Sequence, residues 1–327
     1  MHVLRDMDVS TNQSEDFLMH CHYVNEIPIV ILTCFTNLQH LCSASIILAD
    51  GTFQYCPRYF TQMYTLHGVV NHHYVPLLYA LLPDKQERTY AAMLTIIINQ
   101  CEGLQLNFSP TSLMVDFETA MHNAIRRVLP DTAIRCCRFH FGQALWRHIC
   151  HLGLSTVYKD KESADGKWLH HFFGLALLPS HLVEQTFADN LMADAPSNND
   201  LLLKFADYVL HTYVASSATF PPVMWAWQPG DAPHTNNAAE GFHSRLSGFF
   251  DRQHPNIFSF VQGLKEFQVA VYITLRSLDQ AARVSHDELS RRQFALDMLD
   301  QLMNGAITPY NYVKTLCYRY LPVSSKS

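Results

Sequence analysis

Short apolar runs in the first half of the chain have the length and composition of buried β-strands. They are rich in β-branched and aromatic residues, and polar or turn-forming residues bound them. The runs are IPIVIL (27–32), SIILAD (45–50), QMYTLHGVV (62–70), YVPLLYALL (74–82), the start of SLMVDFETA (112–120) and IRCCRF (134–139). The polar turn NHH separates the third and fourth runs, which predicts that these two strands pair antiparallel.

Helical patterns lie between these strands. Thr36 or Asn37 is predicted to cap a short helix that presents Leu38 and Leu41 on one face, so the first ~40 residues hold one strand and one helix. Residues 86–101 carry apolar side chains at helical spacing, and MHNAIRRVL continues as a helix after the strand in SLMVDFETA. This order of elements predicts an α/β fold, with a mixed sheet covered by helices.

The second half of the chain has no comparable strand pattern. From residue 140 to about residue 225, four helical segments follow one another, separated by Gly, Pro, Ser and Asn. TNNAAEGFHSRL (235–246) is predicted to open a new helix capped by Thr235 or Asn236, and residues 258–278 form a long amphipathic helix. The sequence therefore predicts an all-α segment inserted into the α/β fold.

Composition narrows the class of protein. With 48% hydrophobic and 16% charged residues, the chain can bury a sizeable core. It contains no apolar run long enough to cross a membrane, and its polar, acidic N-terminus lacks the order of a secretory signal. Nine scattered cysteines predict free thiols in a reducing compartment. We therefore expect an intracellular protein that does not contact a membrane.

Net charge does not favour autonomous DNA binding. The formal charge is −6, and only residues 240–327 are basic, with 10 Lys and Arg against 8 Asp and Glu. If the chain binds DNA, metal ions or a partner must neutralise most of the phosphates.

Asp50 and Asp116 each follow an apolar strand, where side chains of a helix-covered sheet meet a ligand cleft. An unpaired carboxylate is costly to desolvate there, and a divalent cation removes that cost. Two such ions would suit an in-line phosphoryl displacement. The alternative is that both acids only cap helices or form turns.

Four blocks of the sequence resemble the MULE (Mutator-like element) transposase domain in the family's order. They are LADGTFQYCPRYFTQMYTLHG (48–68), MVDFETA (114–120), CRFHFGQALWRHI (137–149) and TNNAAEGFHSRL (235–246). The resemblance covers roughly residues 15–270, and the combination of blocks is more specific than any one of them.

The resemblance implies an RNase H-like fold with a DDE triad of Asp50, Asp116 and Glu240. In that scheme Asp50 would bridge two Mg²⁺ or Mn²⁺ ions, while Asp116 and Glu240 would each complete one ion. The chemistry it implies is cleavage and transfer of DNA strands at element ends. The predicted organisation is a lead-in (1–43), the first part of the core (44–150), the all-α insertion (151–230), the closing helices of the core (231–305) and a tail (306–327).

The resemblance also implies partners and a compartment. Family members carry a zinc-binding DNA-recognition module ahead of the first block, but no Cys/His cluster with finger spacing lies upstream of Asp50. We therefore expect that module to be absent or to come from a separate subunit. The expected partners are DNA, as transposon ends and target, and a second copy of the chain. The expected location is the nucleus.

Several further residues are candidates. Cys137 and His140 could ligate Zn²⁺ with nearby His and Cys residues, or they could only pack. The resemblance favours a third alternative, in which they support the active site. It implies the same supporting role for Asn236 and Asn237. Glu118 is interpreted as a helix N-terminal acid rather than a ligand.

Four residues are candidate DNA contacts. Trp225 and Trp227 could stack on a base or anchor the helical segment, and Arg245 and Arg252 could contact phosphates or lie on solvated faces.

Three functions remain open from the sequence. The first is an active transposase catalytic domain, which the triad favours. The second is a transposase-derived host protein that binds DNA or protein without catalysis, which the acidic charge favours. The third, an RNase H-like nuclease on RNA–DNA hybrids, is disfavoured by the fourth block and the helical segment.

Overall fold

The computed structural model describes residues 4, 7–71, 73–196, 199–227, 241–242, 245–250, 252–278 and 286–319. Glu240, Asn236 and Asn237, together with the predicted helix cap at Thr235 or Asn236, lie outside the described residues.

The described residues form one mixed sheet of seven strands in the order β1-β2-β5-β4-β3-β6-β7. The strands are β1 (Leu18–Val24), β2 (Ile27–Leu32), β3 (Ile46–Thr52), β4 (Gln62–Val70), β5 (His73–Leu82), β6 (Ser112–Val115) and β7 (Ala133–Cys136). All pairs from β1 to β3 along this order are antiparallel, whereas β3 and β6 are parallel. The predicted mixed sheet is confirmed.

The hairpin of β4 and β5 was correctly predicted as an antiparallel pair. Its register runs from Gln62↔Leu82 to Val70↔His73, and Asn71 begins the turn with φ of 47°. Asn tolerates this left-handed backbone because its short polar side chain can bond locally. β4 and β5 are therefore long central strands that pair over their whole length and carry the core of the sheet.

The helices cover the sheet and fill the second half of the chain. They are α1 (Phe35–Ser43), α2 (Glu87–Gly103), α3 (Thr119–Val128), α4 (Arg138–His151), α5 (Ser155–Lys159), α6 (Ala164–Gly174), α7 (Ser180–Thr186), α8 (Asp200–Val209), α9 (Ile257–Arg276), α10 (His286–Met303) and α11 (Pro309–Leu316). Among the described residues no helix is long and apolar enough to span a bilayer.

A buried polar network fixes α9 onto α1. Asn37 and Gln268 exchange two side-chain hydrogen bonds, of 3.0 and 2.8 Å. Tyr272 donates to Thr11 at 3.0 Å and also to the Glu15 carboxylate. Buried polar groups that are fully paired in this way specify one docking arrangement.

The chain divides into two compact units. The sheet unit comprises Met1–Arg135 and Asn236–Ala282, and the helical unit comprises Cys136–Thr235 and Arg283–Ser327. Residues 283–319 thus belong to the helical unit, whereas the sequence predicted them as closing helices of the core and a tail. The reason is packing, because α11 lies against α6 so closely that a Cβ on Gly174 would be 2.7 Å from the Val313 carbonyl oxygen.

Candidate active site

Two neighbouring parallel strands carry the two predicted acids. β3 and β6 pair Ile46↔Ser112, Ile47↔Leu113 and Leu48↔Met114, and each pair is 66 residues apart. Asp50 and Asp116 have the same separation of 66 residues. Asp50 lies inside β3, which continues to Thr52, and Asp116 is the first residue after β6. Extended two residues beyond the observed pairs, the register would align Asp50 with Asp116.

Backbone groups hold both carboxylates at this edge. The amide of Gly51 donates to Asp50 Oδ1 at 2.9 Å, and the amide of Phe117 donates to Asp116 Oδ1 at 2.6 Å. Asp50 is partly exposed and Asp116 is exposed. The two side chains are therefore oriented by short local hydrogen bonds and accessible from solvent.

Two hydrogen bonds, one from α3 and one from its N-cap residue, hold the backbone carbonyl of Asp116. His122 Nε2 donates to the Asp116 carbonyl oxygen at 2.8 Å, and the Glu118 amide donates to the same oxygen at 2.9 Å. Burial lowers the pKa of His122, which favours the neutral imidazole. A neutral ring that donates from Nε2 fixes the turn after β6 without adding positive charge beside the acids.

The face that carries Asp50 also carries Thr65 and His67. Thr65 lies opposite Asp50 in the register, and its hydroxyl donates to the Asp50 carbonyl oxygen at 3.1 Å. His67 Nε2 lies 3.1 Å from Thr65 Oγ1, and its ring meets the edge of Phe242 with centroids 4.7 Å apart. Phe242, from the block TNNAAEGFHSRL, therefore packs on the face of the sheet that bears Asp50.

The opposite face holds a polar network that the sequence did not reveal. Gln62 Nε2 donates to the Tyr90 hydroxyl at 2.8 Å, and that hydroxyl donates to Glu118 Oε1 at 3.1 Å. Lys85 Nζ lies 3.6 Å from Glu118 Oε2. Glu118 is the N-cap residue of α3, but its side chain makes no capping hydrogen bond. The available signal was Gln62, a polar residue at the start of an apolar strand.

Burial and several carboxylates of this region raise the pKa of one phenol, Tyr64. The pKa of Tyr64 is raised well above its ordinary value, first by burial and then by Tyr90, Asp50, Glu118 and Asp116. Three carboxylates thus lie within electrostatic reach of a single side chain. Such a concentration of negative charge favours binding of a cation.

Glycine follows Asp50 at a point of close packing. A Cβ on Gly51 would lie 2.7 Å from Gln62 Oε1 and 3.2 Å from the Tyr64 ring. A side chain at position 51 would therefore require Gln62 and Tyr64 to shift.

The candidate residues of the helical unit are buried or partly buried in that unit. Cys137 is buried at the N-cap of α4, and His140 is partly buried on its first turn. Trp225 is fully buried, stacks on Phe141 at 4.3 Å, and donates from Nε1 to two backbone carbonyls. Its ring has no surface to offer a base, so the anchoring alternative accounts for it. Trp227 is half-buried.

Arg245 and Arg252 are both exposed in the sheet unit, and Arg245 Nε donates to the Gly241 carbonyl at 3.3 Å. Within the described ranges, no three His, Cys, Asp or Glu side chains form a group that could hold a metal ion. The third predicted acid, Glu240, falls outside those ranges.

A mixed α/β domain with two acids at adjacent strand ends is thus defined by the fold and the site. The model of the MULE transposase domain family matches residues 46–144, from the start of β3 into α4. Over this stretch the chain is similar to a MULE transposase domain. No curated protein matches the chain.

Proposed function

We propose that this chain is the catalytic domain of a MULE-type transposase, with an RNase H-like core and a helical insertion, and that it cleaves and transfers DNA strands. The observation that carries the proposal is the parallel register of β3 and β6, which aligns Asp50 with Asp116 when it is extended by two residues. One acid near the end of a strand is common, but two aligned acids on neighbouring strands would supply four oxygen donors at one edge.

The donor set fits a hard divalent cation such as Mg²⁺ or Mn²⁺. Carboxylate oxygens are the ligands that these ions take, usually with substrate phosphate oxygens completing the shell. Asp50 and Asp116 would hold the ions, with Glu240 as the third acid of the triad. When bound, two ions would activate the attacking hydroxyl and stabilise the leaving oxygen of a phosphodiester.

The resemblance of the fourth block to the family supports Glu240 as the third acid. Phe242, from the same block, is buried against His67 on the sheet face of Asp50. In this proposal Asn236 and Asn237 support the site, and Arg245 contacts the phosphate backbone.

The protein's own residues orient the acid pair. The Gly51 and Phe117 amides hold one oxygen of each carboxylate. Lys85 partly offsets the charge of Glu118 on the other face. We further propose a nuclear protein that acts as a homo-oligomer with a separate DNA-recognition subunit, which the net charge of −6 supports.

The test is nicking of labelled DNA in Mg²⁺ or Mn²⁺ by the full chain. Asp50→Asn, Asp116→Asn and Glu240→Gln are expected to lower the rate by about 100-fold or more, because each removes transition-state stabilisation at the reacting phosphate. Asp131→Asn, at an exposed acid of the same unit, is the matched control and should retain full activity. Chelation with EDTA should abolish nicking, and added Mg²⁺ should restore it.

The alternative is a transposase-derived host protein that binds without cutting, and the acidic charge is the observation that favours it. DNA binding by wild type, with no metal-dependent nicking that the three variants lose, would establish this alternative and reject the catalytic proposal.

A further inference from the structure

The connection between β3 and β4 exposes two aromatic rings beside the acid pair. It follows directly from the strand that carries Asp50, and it contains Phe53, which is 44% exposed, and Tyr59, which is 89% exposed. Two exposed aromatic rings on the segment that follows β3 are a candidate binding surface.

The inner side of this connection is anchored, so the exposure is not a consequence of loose packing. Tyr55 stacks on Phe250 with centroids 5.4 Å apart, and Cys56 is buried. The His254 amide donates to the Gln54 carbonyl at 2.9 Å, and His254 Nδ1 lies 3.1 Å from the Cys56 carbonyl oxygen. These contacts hold residues 54–56 in place, while the side chains of Phe53 and Tyr59 remain exposed.

Positive charges flank both rings. Lys85 Nζ lies 4.5 Å from the centre of the Phe53 ring, a cation–π contact, and the exposed Arg58 precedes Tyr59. Arg252 is exposed two residues before His254, which holds the loop. Lys85 also lies 3.6 Å from Glu118 Oε2, but its side chain is 45% exposed and remains accessible to a phosphate.

We propose that residues 53–59, with Lys85 and Arg252, form a platform for unpaired nucleotides of a DNA strand. Phe53 and Tyr59 stack on bases, while Arg58, Lys85 and Arg252 bind phosphates. Rings and cations in alternation are what a single strand requires, because an unpaired base offers a face for stacking and a paired base does not. The inference rests on the proposed function, and it specifies that the DNA strand is unpaired where it binds.

The test measures single-strand binding apart from cleavage. The full chain carrying Asp116→Asn is titrated against a fluorescein-labelled oligothymidine strand, and anisotropy gives Kd. Tyr59→Ala and Phe53→Ala should each weaken binding about 5- to 150-fold, the range for loss of one stacked base. Tyr23→Ala is the matched control, because Tyr23 is also exposed, at 65%, but lies on the edge strand β1.

Two further measurements separate stacking from charge. A Tyr59→Trp variant should lose indole fluorescence on binding the strand, as a stacked ring does. Arg58→Ala should reduce the slope of log K against log salt by about 0.7, whereas Arg276→Ala, at an exposed arginine of α9, should leave it unchanged.

The outcomes distinguish the platform from the catalytic proposal. If Tyr59→Ala and Phe53→Ala bind the strand as tightly as Tyr23→Ala, the platform is rejected even where wild type nicks DNA. Tighter binding of duplex than of single strand, with no effect of either ring, rejects it equally. If the chain neither binds nor nicks any DNA, both proposals fail, and a protein partner for the rings becomes the better explanation.

Discussion

In the sheet unit, Asp50 near the end of β3 and Asp116 just after β6 are accessible to solvent, whereas in the helical unit Trp225 and His171 lie inside the packing. Both units contain residue types that carry chemistry in enzymes. In the first they lie close to the end of an element, and a buried network of Gln62, Tyr90 and Glu118 lies on the other face. In the second they fill space between helices. The position of a side chain in its element, more than its type, separates the two uses.

The largest effect that tests this difference is expected in the helical unit. Trp225→Ala should destabilise it by about 3–5 kcal/mol, because a fully buried ring is lost and two carbonyls lose a donor. Trp227→Ala, at a half-buried ring, should cost much less. Urea unfolding of both variants, followed by tryptophan fluorescence and circular dichroism, measures the two costs. Equal costs would contradict the anchoring role of Trp225.

A smaller effect is expected at β3, the strand that carries Asp50. Gly51→Ala should destabilise the sheet unit by about 1–3 kcal/mol and impair nicking, because the new Cβ forces Gln62 and Tyr64 to move. Gly103→Ala is the matched control, since nothing lies within 4 Å of a Cβ at that position, in the last turn of α2. Thermal melting and nicking rates check both. Normal stability and nicking in Gly51→Ala would show that the strand can move away from the network.

These contrasts also mark what the sequence could predict. β2 and β4 begin and end where their apolar runs do, because a buried strand leaves a continuous pattern. β1, with the sequence LMHCHYV, was not predicted, since two histidines break the apolar pattern of this edge strand. IRCCRF was predicted as a strand to residue 139, but β7 ends at Cys136 because α4 starts at Arg138.

Non-local partners explain the remaining differences. Thr36 or Asn37 was predicted to cap α1, but the N-cap is Cys34, and Asn37 pairs with Gln268 from α9. At the site, SIILAD was predicted to end on Asp50, but β3 continues to Thr52 because Gly51 and Thr52 still pair with β4. Asp116 follows β6 directly, as its local pattern predicted. The link from Gln62 to Tyr90 joins elements 28 residues apart, and nothing in either local pattern specifies it.

A pH-dependent effect is expected in the helical unit. Burial first, and Lys314 next, lower the pKa of His171 to about 4. The unfolded chain takes up this proton near pH 6.5, so the contribution to stability is complete above that pH and is lost as the pH falls towards 4. We expect a loss of about 2 kcal/mol over this window. His171→Gln should flatten the profile, whereas His181→Gln, at an exposed histidine, should not. An unchanged profile in His171→Gln would assign the pH effect to other groups.

The smallest effect is expected from Tyr90→Phe, which removes only the hydroxyl between Gln62 and Glu118. The ring and its packing against Tyr64 stay, while Gln62 keeps the Asp84 carbonyl at 3.3 Å and Glu118 keeps Lys85. Because both partners retain a contact, the loss of stability should be about 1 kcal/mol. Tyr23→Phe, at an exposed ring, is the control and should cost nothing measurable. The informative readout is nicking at saturating metal. A network that only stabilises the fold would leave the rate of Tyr90→Phe unchanged, whereas a network that orients the strand end at Asp50 would lower that rate by more than the loss of stability explains.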